Sequence, residues 1–255
     1  MKTLKLGSKD AQVKDLCSYL GLASRETFDE EVKKAVITFQ AGQGLTQDGI
    51  VGFNTWKALH LAKAEKISAE DYKFAAFLLD CEVKALKAVV QVETGGLGGF
   101  LSNGLPPILF EGHVFWKELQ ARGINPESVK KGNEDILYKT WTKSYYKGGV
   151  AEWTRLEKAR KINLDAANAS ASWGIFQIMG NNYKAAGCVS VSDFVKQNMK
   201  GEVHQMFLGV TFIKNNANIL KALQKKDWTS FAKYYNGSGQ VSTYSTRLKQ
   251  AYNKL

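Results

Sequence analysis

Apolar positions recur at helical spacing along almost the whole chain. In DAQVKDLCSYLGL (10–22), Val13, Leu16 and Leu20 fall on one side of a short helix. FDEEVKKAVITFQ (28–40) starts a second, with Val32, Val36 and Phe39 as its apolar stripe, Asp29 or Thr27 as its cap, and Glu30 and Glu31 in its first turn. Asp48-Gly49 in the following GLTQDGIVG predicts a turn, and FNTWKALH begins a third helix with Trp56 and Leu59 inward. AKAEKISAED then leads into the rest of the chain, with Ser68 and Asp71 as a candidate capping box. Beyond it the periodicity predicts helices at about 71–94, 112–121, 150–163, 190–198, 201–225 and 240–252. No extended strand pattern dominates. Two stretches break the rhythm, GGLGGFLSNGLPP and NASASWGIFQIMGNNY, and such loops are where chemistry is expected. The expected organisation is a mainly α protein with a small three-helix domain at 1–62, a linker at 63–70 and an α-rich domain at 71–255.

Composition narrows the class. The 255 residues are 44% apolar, enough for a folded core, and no run of 18 apolar residues predicts a membrane span. The basic start MKTLKLGSKD lacks an apolar core and a cleavage site, so no signal peptide is expected. Cys17, Cys81 and Cys188 are odd in number and are expected as free thiols. His60, His113 and His204 are scattered, with no HExxH or CxxC, so neither a metal nor a cofactor is expected. The net charge of +11 is uneven: residues 1–62 hold eight basic and seven acidic side chains, the remainder 27 and 17. A basic body attracts polyanions such as nucleic acid, anionic lipid or an anionic cell wall. The absence of zinc-finger and RRM signatures argues against nucleic acid.

One acid sits in an unusual place. In KALKAVVQVETGG, Leu86, Val89, Val90 and Glu93 lie on one helical face just before Gly95 and Gly96. Desolvation on that face and the negative end of the helix both favour the protonated carboxyl, as a general acid requires. The alternative is a glutamate that reaches solvent or bonds to the following loop. A second acid, Glu111, lies in PPILFEGHVFWKEL. Aromatic residues (Trp116, Trp141, Tyr145, Tyr146, Trp153) could stack on sugars or fill the core. Lys139, Lys143 and Lys147 would share a face if helical and could meet anionic envelope polymers.

Family resemblance sharpens both halves. Gly7, Phe28, Phe39-Gln40, Asp48-Gly49, Gly52 and Thr55-Trp56 resemble the pattern of the small three-helix peptidoglycan-binding module; Asp10 and Cys17 depart from its usual Gly and Gln. In that setting Gln40, Asp48 and Asn54 are candidate wall contacts, and the module's job would be tethering. VETGG, then SASWGIFQIMGNNY, then AKYYNGSG resemble the lysozyme-like superfamily of goose-type lysozymes and lytic transglycosylases. The likeness is greater to the N-acetylmuramidase domain of modular phage endolysins, which also carry the PPILFE-H segment.

That resemblance implies Glu93 as general acid. It leaves Glu111 as a base, as a charge that stabilises an oxocarbenium-like state, or as an organiser bonded to backbone or His113, with Asp165 a weaker candidate. Ser172 and Gln177 would hold N-acetyl groups or the glutamate. Tyr235 and Asn236 would close the other side, with a tyrosine hydroxyl setting the Glu93 proton; Tyr234 could take the place of Tyr235. The implied activity is cleavage of the β-1,4 bond between N-acetylmuramic acid and N-acetylglucosamine in peptidoglycan, with host lysis. The alternatives are a lytic transglycosylase that leaves a 1,6-anhydro sugar, and a non-catalytic wall-binding protein. The family further implies a monomer made in the host cytoplasm and admitted to the wall through a separate pore.

Overall fold

A computed structural model describes residues 2–63, 67–96 and 98–255. The chain divides into two compact units, residues 1–65 and 66–255.

The first unit holds α1 (Gln12–Leu20), α2 (Glu30–Gly42) and α3 (Phe53–Lys63). Asp29 caps α2 by accepting the Val32 N–H at 3.0 Å. Val13, Leu16, Cys17, Phe28, Val32, Val36, Trp56 and Leu59 are buried, joined by Leu4 and Val51, which pair in an isolated β-bridge. Leu20 and Phe39, expected inside, are only half-buried.

The buried residue beside Phe39 is Gln40, 1% exposed. Its amide nitrogen donates to Asp48 Oδ1 (2.9 Å), Ile50 O (3.0 Å) and Thr55 Oγ1 (3.1 Å), and its oxygen accepts the Gly49 N–H (3.0 Å). Asp48 Oδ1 also accepts the Ile50 N–H at 2.9 Å, and Gly49 adopts φ +67. Of the three candidate wall contacts, then, Gln40 staples the turn from inside, and its buried amide is fully engaged there. Asp48 and Asn54 are exposed.

The second unit begins with α4 (Ala69–Leu79), opened by the Ser68–Asp71 capping box, and α5 (Val83–Thr94). The helix therefore starts inside the expected 63–70 linker, of which 64–66 lie outside the described residues. The single helix expected over 71–94 is two, because Asp80 turns left-handed at φ 50 and closes α4. Then come β1 (Ile108–Phe110), α6 (Gly112–Ala121), α7 (Val150–Arg160), α8 (Leu164–Ala169), β2 (Ala171–Trp173) and β3 (Ile178–Met179). The last part holds α9 (Val191–Lys200), α10 (Glu202–Lys214), α11 (Ala217–Lys225), α12 (Trp228–Asn236) and α13 (Val241–Lys254).

The strands form an antiparallel sheet in the order β1-β2-β3, with Leu109 opposite Ser172 and Ser172 opposite Met179. Strands of two or three residues carry too little alternation to register as a pattern. The helix expected over 201–225 is also two. The Asn216 side chain donates to Phe212 O (2.6 Å) and Asn215 to Ala185 O (2.9 Å), which ends α10 and lets α11 turn away. α10 is buried on every side from Gln205 to Ile213, as expected of a helix at the centre of a core. Its Gly209 packs directly on the Phe176 ring, where a Cβ would come within 2.3 Å. Residues 139–147 form no helix, so the expected lysine face does not exist. Lys139 pairs with Glu127 at 2.7 Å, and Lys143 lies over Trp141.

Candidate active site

Glu93 occupies the last turn of α5, one residue before its terminal Thr94. The pattern that put it on an apolar face is realised: Leu86, Val89 and Val90 are buried beneath it, and α5 packs on α13, α4 and the 174–176 turn. Gly95 (φ 59) then turns the chain out of the helix. Glu93 itself is half-buried. Burial pushes its pKa from 4.5 up to about 7, against the opposing pull of the Tyr244 hydroxyl and the Arg247 charge.

The hydroxyl that meets this carboxyl belongs to Tyr244 on α13, which donates to Glu93 Oε1. It was expected from Tyr235. Tyr235 instead donates to Phe176 O at 2.5 Å and stacks on Phe231 with ring centroids 5.0 Å apart. Burial, and then the Glu93 charge, hold both tyrosines well above the ordinary phenol range, so both remain hydrogen-bond donors. Of the two adjacent tyrosines, Tyr235 is the inward one; Tyr234 is 47% exposed, and Asn236 is exposed at the end of α12. Arg247 donates to Val92 O at 3.2 Å, which holds its charge close to Glu93. Neither Tyr244 nor Arg247 was read from the sequence. Their only signal was the helical pattern of 240–252 itself.

Ser172 and Gln177 are brought together, and they bond to each other. Ser172 Oγ donates to Gln177 Oε1 at 2.7 Å, and Gln177 Nε2 donates to Gly174 O (2.8 Å) and Pro107 O (3.2 Å). Gln177 is left-handed at φ 45, so this bonding stabilises a tight return between β2 and β3. Gly174 is approached closely by side chains, and a Cβ there would meet Asn198 Oδ1 at 2.5 Å. Gln205 on α10, 1% exposed, then ties the two loops that flank Glu93. It accepts the Ile175 N–H (3.1 Å) and donates to Gly99 O (2.9 Å).

Glu111 lies directly after β1 and caps α6 through its backbone; its own N–H donates to Ser170 O at 2.9 Å. The Tyr146 hydroxyl sits 2.7 Å from both carboxylate oxygens and donates to them. Burial first, and then Glu111, raise the Tyr146 pKa and keep that proton in place. His113 Nδ1 is 3.3 Å from Glu111 Oε2 with no hydrogen-bond partner, and its pKa is lowered, first by burial. The charge that acts on Glu93 is that of Arg247. Asp165 is exposed in the first turn of α8.

A buried ion pair supports the Glu111 side. Glu152 (0% exposed) and Arg155 (4%) meet at 2.8 Å. Glu152 accepts the N–H groups of Phe110 (3.1 Å), Lys147 (2.6 Å) and Gly148 (3.2 Å), and Arg155 donates to Phe110 O at 2.9 Å. The pair thus clamps the residue before Glu111 and the residue after Tyr146. Among the described residues no group of three or more His, Cys, Asp or Glu side chains could hold a metal ion, and no helix is long and apolar enough to cross a membrane. Among the described residues no cysteine is in a disulfide.

A glutamic acid of raised pKa at a helix end, in an α-rich unit that also holds a small antiparallel sheet, is the arrangement of a lysozyme-like glycosidase, here preceded in sequence by a three-helix module. The N-acetylmuramidase family model matches residues 82–255, and the peptidoglycan binding domain model matches residues 15–59. A crystal structure of the Burkholderia AP3 phage endolysin is similar at 33% identity and TM-score 0.66, covering 99% of this chain and 98% of that one. No curated protein matches. The chain belongs to the N-acetylmuramidase family and has the two-domain composition of a phage endolysin, with an N-terminal peptidoglycan-binding domain and a C-terminal muramidase domain. It is a glycoside hydrolase that acts on peptidoglycan.

Proposed function

We propose that Glu93 is the general acid that protonates the bridging oxygen of the β-1,4 bond between N-acetylmuramic acid and N-acetylglucosamine. The observation that carries this is its pKa of about 7, set by burial at the end of α5. A carboxyl in that range is still substantially protonated at neutral pH. Tyr244 holds the carboxyl in one orientation, and Arg247 limits how far burial raises it. Glu111, oriented by Tyr146, is the second carboxylate, and faces the positive charge that develops on the muramic ring or the water that follows. On this reading Ser172, Gln177, Tyr235, Asn236 and His113 contribute to the surface that holds the glycan strand.

The module tethers the enzyme to its polymer, with Asp48 and Asn54 on the exposed side of the stapled turn. The endolysin likeness and the basic catalytic unit support a monomer that is made in the host cytoplasm, reaches the wall through a separate pore and meets anionic envelope polymers there.

The test is wall lysis by Glu93→Gln, which is expected to fall by at least about 100-fold while wall binding persists. Lysis at the wild-type rate would reject the acid role. Mass spectrometry of the wild-type products is expected to give the hydrated reducing sugar. A product one water lighter would make the outcome that of a transglycosylase.

A further inference from the structure

Five of the six tryptophans are core residues: Trp56, Trp116, Trp153, Trp173 and Trp228 are 9% exposed or less. Trp141 is 52% exposed. It lies on the irregular segment between Tyr138 and Tyr146, and the Tyr146 hydroxyl at the end of that segment donates to Glu111.

The segment that presents it is held firmly. Tyr145 stacks on Tyr138 at 5.1 Å, the Tyr138 hydroxyl accepts the Gly112 N–H at 3.2 Å, and Glu152 accepts the Lys147 and Gly148 N–H groups. The Lys143 ammonium lies 5.7 Å from the Trp141 ring centroid. Lys143 is exposed and has no carboxylate partner among the described residues, in contrast to Lys139, which Glu127 holds.

We propose that Trp141 and Lys143 form a saccharide subsite beside Glu111 that takes a peptide-bearing N-acetylhexosamine of the glycan strand. A pyranose has an apolar C–H face, and a rigid aromatic face exposed next to polar groups is the surface that complements it. An unpaired ammonium above that ring is placed for a carboxylate carried by the sugar's substituent. A muramyl unit with its stem peptide offers such a carboxylate and a chitin unit does not, so the pair would discriminate between the two polymers. This rests on the reading of Glu93 and Glu111 given above, because the subsite is located by sharing its segment with Tyr146, the partner of Glu111.

The test uses the full chain carrying Glu93→Gln, which binds without cleaving. Calorimetric titrations with chitotetraose and with a soluble peptide-bearing muropeptide tetrasaccharide are compared with the same titrations after a second substitution. Trp141→Ala is expected to weaken both ligands at least tenfold, and Trp141→Phe to recover most of that loss. Lys143→Ala is expected to weaken the muropeptide several-fold and to leave chitotetraose within twofold. Binding by the module is common to all variants and cancels. Affinities unchanged by Trp141→Ala, equal losses of both ligands on Lys143→Ala, or no binding of either ligand by the Glu93→Gln protein would overturn the subsite. The acid role is scored separately, by the lysis rate of Glu93→Gln, so either claim can fail alone.

Discussion

The Tyr244 hydroxyl of α13 donates to the Glu93 carboxyl at the end of α5, and so joins residues from opposite ends of the catalytic unit. Burial raises the Glu93 pKa, and this hydroxyl pulls it back. Their balance sets the pH range over which the acid holds its proton.

Removing the hydroxyl should shift that balance. Tyr244→Phe takes away a donor that favours the carboxylate, so the Glu93 pKa should rise above about 7. The alkaline limb of the lysis profile should move to higher pH, with a change of about one unit readily resolved. A limb that stays in place, or moves to lower pH, contradicts the balance.

The same shift has a consequence for stability. Glu93 loses its proton near 4.5 in the unfolded chain and near 7 in the folded one, so the folded state binds more protons between those values. Stability is greatest below that window and falls as pH rises through it. The loss is on the order of 3 kcal/mol when complete. Glu93→Gln, which cannot ionise, should therefore be more stable than the wild type at pH 8, and the difference should shrink by pH 4.5. Denaturant unfolding at the two pH values checks this. A difference independent of pH would contradict it.

Glu152 should matter without touching substrate. Glu152→Gln leaves the Arg155 guanidinium buried with its partner's charge removed. Breaking a buried pair in this way costs about 3–5 kcal/mol. Amide exchange should accelerate at Phe110, Lys147 and Gly148, the three N–H groups it accepts. Unchanged exchange there would remove the clamp from the account.

In the module, Gln40→Ala should loosen the turn rather than trim a binding face. It leaves the buried Gly49 N–H without its acceptor, at a cost of about 1–3 kcal/mol. Gly49 exchange should quicken by tenfold or more, whereas Asn54→Ala, at an exposed position, should leave it unchanged. Equal effects of the two substitutions would contradict the staple.

Much of this was legible in the chain because the helices announce themselves. The stripe of α2 with its Asp29 cap, the Ser68–Asp71 box and the face that carries Glu93 are all local signals. What escaped was non-local or short. Tyr244 reaches Glu93 across the fold, and nothing near either residue in sequence marks the pair. Glu152 and Arg155 look like an ordinary surface pair until folding buries them both. Asp80 and Asn216 break helices whose apolar pattern runs straight on, Asp80 by taking a left-handed backbone conformation and Asn216 by bonding its side-chain amide to Phe212 O. The Ser172–Gln177 bond holds a return too short to have a period.

The proposed catalysis turns on the proton that Glu93 retains near neutrality. Its carboxyl can be followed directly by carbon NMR in protein labelled at the glutamate side-chain carboxyls, with Glu93→Gln identifying the resonance. A titration midpoint near 7 is the predicted result. A midpoint near 4.5, the ordinary value for a solvated glutamate, would contradict it.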